Sequence, residues 1–168
     1  MLIKPTKKIL AWAFYDFANS AFATAVMAGF FPVFFKSYWS EGTPVTTSTL
    51  YLGLANSTAS IVVALLAPIL GAIADSNGRK KPFLFLFASI GIAMTFSMWW
   101  IAKGEWKIAA FVYTLSMIGF AGANVFYDAM IMDVTEPDKF DRVSAYGYSM
   151  GYLGGGLLFA GTVFMTLH

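Results

Sequence analysis

The spacing of the charges constrains this 168-residue chain more than any other feature. Charged residues are bunched, and the stretches between bunches are long and apolar. Residues 17 to 35, 42 to 74, 82 to 102, 108 to 127 and 143 to 168 carry no lysine, arginine, aspartate or glutamate. Each stretch reaches or nearly reaches the roughly 20 residues that a helix needs to cross about 30 Å of hydrocarbon. The pattern predicts an all-α membrane protein with five transmembrane helices, at about 9–36, 49–74, 83–102, 108–132 and 143–167. Composition agrees: 58% of residues are hydrophobic and 12% charged, where soluble domains carry about 25% charge.

Lysine and arginine set the expected orientation. With a cytoplasmic N-terminus, the inner segments hold Lys4, Lys7, Lys8, Arg79, Lys80, Lys81, Lys139 and Arg142, and the outer ones only Lys36, Lys103 and Lys107. Trp39, Trp99, Trp100 and Trp106 then form an aromatic belt at the outer interface. A cleaved signal peptide is the competing explanation of the first helix, with lysines, an apolar core and "AFATA" as a cleavage site. Asp16 and Asn19 interrupt that core, and hydrophobicity resumes directly after the supposed cut.

Several chemistries fall away. The chain has no cysteine, and its one histidine is His168, so thiol-based metal or redox sites and most histidine-based catalysis are excluded. No metal site, cofactor or nucleic-acid partner is expected, and the net charge of +2 points to none. "GYSMG" around Ser149 matches G-x-S-x-G in form only, because a hydrolase elbow requires a strand–turn–helix and a placed base. Asn56-Ser57-Thr58 lies inside a span and is better explained by hydrogen bonding between helices than by glycosylation.

The polar residues inside the spans carry the functional question, since burying them costs several kcal/mol unless something answers them. On the first helix Asp16, Asn19, Ser20, Ala23, Thr24 and Met27 share one face. Asp16 is expected on the order of 10 Å below the cytoplasmic boundary. Asn124 and Asp128 share a face near the cytoplasmic end of the fourth helix. Asp16, Asn19, Asn124 and Asp128 are therefore candidates for a substrate or ion path, binding a cationic group, a coupling proton or sodium. A structural role for Asp16, holding the bundle together, stands beside that explanation, as does contact of Asp128 with lipid headgroups. Gly147, Gly151 and Gly155 recur at four-residue spacing on the fifth helix, as small residues do where membrane helices pack closely. A strip of Ala21, Ala25 and Gly29 on the first helix offers a matching surface.

Between the second and third helices lies "GAIADSNGRKKP", a short hairpin kept in the cytoplasm by its basic residues. It resembles the G-x-x-x-D-x-x-G-R-K signature of the major facilitator superfamily, in the corresponding loop. The resemblance implies a latch between the two halves of a transporter, carried by Gly71, Asp75, Gly78, Arg79 and Lys80. Ser76 stands where a basic residue is frequent in that signature. "YDFANSAFATAVMAGFFPVFF" and "DRVSAYGYSMGYLGGGLL" are similar to the vacuole effluxer-like, or unknown major facilitator, branch. "FYDAM-IMD" is similar too, with Met132 where a proline is common.

The resemblance implies a partial N-terminal six-helix half of a major facilitator fold, 1–168 forming the piece before a missing C-terminal half. It implies secondary active or facilitative transport of a small solute, such as an amino acid, by alternating access, with efflux from the vacuole in the eukaryotic branch. Expected partners are the lipid bilayer, that missing half, and a small-molecule substrate with a proton or sodium. The expected location is the plasma membrane of a bacterium, and no enzymatic activity is expected. A membrane scaffold or assembly subunit without transport activity, or a channel-like oligomer, are the alternatives.

Overall fold

The computed structural model describes residues 5–76 and 79–167, with Ala74 and Asp75 by their backbone only. The described residues contain no strand. Among the described residues five helices are long and apolar enough to cross a membrane: α1 (Lys7–Trp39), α2 (Val45–Ser76), α3 (Lys80–Trp100), α4 (Trp106–Ala129) and α5 (Pro137–Leu167). One further turn, Ile131–Val134, lies between α4 and α5.

The ends differ from the charge-free stretches for local reasons. α1 starts earlier because Thr6 caps it, accepting from the Ile9 amide at 3.3 Å and so satisfying a donor that a helix start leaves open. α5 starts at Pro137, whose fixed φ suits the first helical position after an extended Glu136. α4 stops at Ala129 rather than near 132, and the chain re-forms only a single turn beyond Met130.

The contacts group the chain into two compact units, 1–31 with 130–168, and 32–129. In the first, α1 and α5 run parallel, and each step along one is matched along the other. Asp16 and Ser20 lie against Gly151, Phe17 against Gly154, Thr24 against Gly155, and Phe30 and Gly29 against Phe159. Gly147, Gly151, Gly154 and Gly155 are all buried. The ridge of α1 that they receive is the polar one, 16–20–24, and of the expected strip of Ala21, Ala25 and Gly29 it is Gly29 that lies against α5, at Phe159. Both ridges have four-residue spacing, and two such ridges interdigitate readily.

From Phe22 to Phe30, α1 is wound as a π-helix, and the Phe31 amide reaches back five residues to the Val26 carbonyl. Pro32 explains part of this, since its ring has no N–H to give and clashes with a carbonyl four residues earlier. Widening the turn relieves that clash.

In the second unit α4 is the central helix. It packs against α3 antiparallel and against α2 parallel. Gly91 of α3 meets Gly119 backbone to backbone, and the Phe87 ring lies over Gly122. Phe83 stacks on Phe126 with ring centroids 5.1 Å apart. On the α2 side, Tyr51 stacks on Trp106 at 3.7 Å, and Leu70 joins Phe126 in a core with Leu66 and Ile73. Glycine, alanine and serine recur on the buried face of α4 because backbones this close leave no room for larger side chains.

The tryptophan-rich end of this unit is tied by its loops. The Trp39 indole donates to the Ile101 carbonyl at 3.3 Å, and the Gly104 amide donates to the Tyr38 carbonyl at 3.1 Å. Gly104 has φ +85°, a conformation that glycine adopts at little cost. An open cavity of about 600 Å³ lies here, walled by Phe34, Tyr38, Phe96, Trp99 and Ile101.

Candidate functional site

The polar groups of α1 form a ladder within the first unit. Ser20 donates its hydroxyl to Asp16 Oδ1 at 3.3 Å. One turn on, the Thr24 hydroxyl donates to the Ser20 carbonyl at 3.1 Å and to the Gly155 carbonyl on α5 at 3.0 Å. Asp16 is half-buried, and a β-carbon at Gly151 would lie only 2.8 Å from its Oδ2. The carboxylate therefore rests against the α5 backbone, and only glycine at 151 leaves it that seat. Asn19 is half-buried on the same helix.

α4 carries Asn124, half-buried, and Asp128, exposed, in the second unit. Asp128 is the penultimate residue of the helix, directly before Ala129. Each helix thus places its own amide and carboxylate about one turn apart on one face, as side chains three or four residues apart must be.

In the loop signature, Gly71 lies in α2 with open space around the position a β-carbon would take. Asp75 is helical, with its side chain outside the described atoms, and Gly78 lies outside the described residues. Arg79 is exposed. Lys80, the first residue of α3, donates from Nζ to the Ala129 carbonyl at 2.9 Å. That bond has no local signal in the sequence, because it joins residues 49 apart. The pairing of Thr24 with Gly155 is signalled only by two four-residue periods, one polar and one glycine. Among the described residues no group of histidine, cysteine, aspartate and glutamate is arranged to hold a metal ion.

The profile of the family described as vacuole effluxer Atg22 like matches residues 41–139, more than half of the chain. The chain belongs to the vacuole effluxer Atg22-like family. It is 43% identical over 155 residues to the uncharacterized MFS-type transporter YxiO of Bacillus subtilis (strain 168), covering 92% of this chain and 36% of that protein. It is 30% identical over 152 residues to an uncharacterized protein of Aquifex aeolicus (strain VF5), covering 89% of this chain and 37% of that one. The chain thus spans little more than a third of the length of these relatives. No solved structure matches it. The Atg22-like match runs from the loop after α1 to the start of α5. It takes in the 71–80 hairpin with Asn124 and Asp128, and leaves Asp16, Asn19 and the glycines of α5 outside. As a member of this family the chain is an integral, multi-pass membrane protein.

Proposed function

We propose that the chain is part of a transporter that moves a small solute, such as an amino acid or related metabolite, across a bacterial plasma membrane. It works by alternating access, with its N-terminus in the cytoplasm and the 71–80 hairpin as a latch toward the rest of the longer protein. Asp16, Asn19, Asn124 and Asp128 line the path, and energy comes from a proton or sodium gradient or from the solute's own gradient. Membership in the Atg22-like family and the similarity to the MFS-type transporter YxiO of Bacillus subtilis support this reading. The observation that carries it furthest is Asp16, a carboxylate held half-buried within a membrane-spanning helix. Ionisable groups in such places mark solute and proton paths. Catalysis plays no part in this reading.

The test is Asp16→Asn in the full-length protein, after a thermal-shift screen of amino acids and related solutes has found what binds. Transport falls sharply while the amount in the membrane stays normal. Undiminished uptake by that variant would sink the role given to Asp16. The seat of Asp16 against Gly151 favours a second reading, in which the carboxylate only holds α1 to α5. In that case Asp16→Asn lowers the melting temperature, and the affinity for solute is unchanged.

A further inference from the structure

The contacts between α3 and α4 form antiparallel rungs whose residue numbers add to nearly the same sum. Gly91 meets Gly119, Phe87 covers Gly122, Phe83 stacks on Phe126, and Lys80 donates to Ala129. The first three rungs are apolar or backbone contacts. The fourth is the ammonium of half-buried Lys80, seated on the last carbonyl of α4, 2.9 Å away. The final carbonyls of a helix lack intrahelical donors and carry the negative end of its dipole, so a cation there satisfies both needs. Hydrogen bonds to a charged donor are also stronger than neutral ones. Without Lys80 the ladder would end at Phe126, one turn short of the helix end.

We propose that Lys80 is a positioning residue for α4: by capping Ala129 it holds the last turn, which carries Asp128 and follows directly on Asn124, in register with the start of α3. This rests on the reading that those two residues line the solute path, and it gives one basic residue of the hairpin a task distinct from latching.

The test uses the full-length protein in liposomes, with no solute present, and follows amide hydrogen exchange by mass spectrometry. Lys80→Met speeds exchange of residues 126–131 about tenfold, residues 109–118 keep their rate, and Lys80→Arg, which retains a cationic donor, restores protection. Unchanged exchange at 126–131 in Lys80→Met would overturn the proposal, as would an equal rise along all of α4 or a failure of Lys80→Arg to restore it. If Lys80→Met does not accumulate, Lys80→Gln gives the same comparison, with a smaller rise expected and an unchanged rate again overturning the cap. Exchange is read without transport, so its outcome is separate from the function itself. Normal transport by Asp128→Asn would remove α4 from the path and leave the cap standing.

Discussion

The carbonyl of Phe17 on α1 lies directly against Gly154 on α5, so close that a β-carbon at 154 would overlap it. Backbone cannot swing aside as a long side chain does, and α1 and α5 would have to separate to make room. Gly154→Ala is therefore expected to destabilise the protein by about 1–3 kcal/mol, the range for overpacked cores. Gly156→Ala, two residues on with open space around it, should be neutral or slightly stabilising. Thermal melting of the two variants in detergent distinguishes them, and equal melting temperatures would refute the packing argument.

Thr24→Val keeps the shape of the side chain and removes the donor to Gly155. Hydrogen bonds between membrane helices are worth roughly 0.6 kcal/mol on average and up to about 1.7. A loss in that range is expected on unfolding, with Thr24→Ser near wild type because it retains the hydroxyl. A Thr24→Val variant as stable as wild type would show that the bond contributes nothing net.

Phe126 is fully buried, between Phe83 and Phe87 on one side and Leu70 on another. Removing its ring leaves a cavity that stiff backbones on both sides cannot close. Phe126→Ala should cost about 3–5 kcal/mol, measured by denaturant unfolding, and Phe126→Leu distinctly less.

Gly104→Ala forces a β-carbon onto a backbone at φ +85°, a strain of roughly 1–2 kcal/mol. Lys103 and Glu41 form an ion pair nearby at 2.6 Å, yet both side chains are about half exposed, at 51% and 54%. Water screens such a pair, so Lys103→Ala should change stability by less than about 1 kcal/mol. A larger effect from Lys103→Ala than from Gly104→Ala would reverse this ordering.

Much of this protein was legible along the chain. Charge-free stretches located the five helices, because no charged residue is left in hydrocarbon without a reason and about 20 residues are needed to cross it. The hairpin signature pointed to the family, since its glycines, aspartate and basic residues stand at fixed offsets within one short loop. The 147–151–155 period showed that α5 has a face for close packing.

Which face of α1 fills that groove was not legible. Two ridges with the same four-residue period were available, and a period says nothing of direction. Only the three-dimensional arrangement selected 16–20–24, and with it put Asp16 on α5. The π-wound segment escaped for a related reason: Pro32 signals a disturbed helix, but not how many residues upstream widen with it. The sequence alone therefore determined which segments are long and apolar enough to cross a membrane, because that depends on composition over a single helix. The tertiary structure decided which residues meet, Asp16 with Gly151 and Lys80 with Ala129, because those contacts join segments that no local pattern connects.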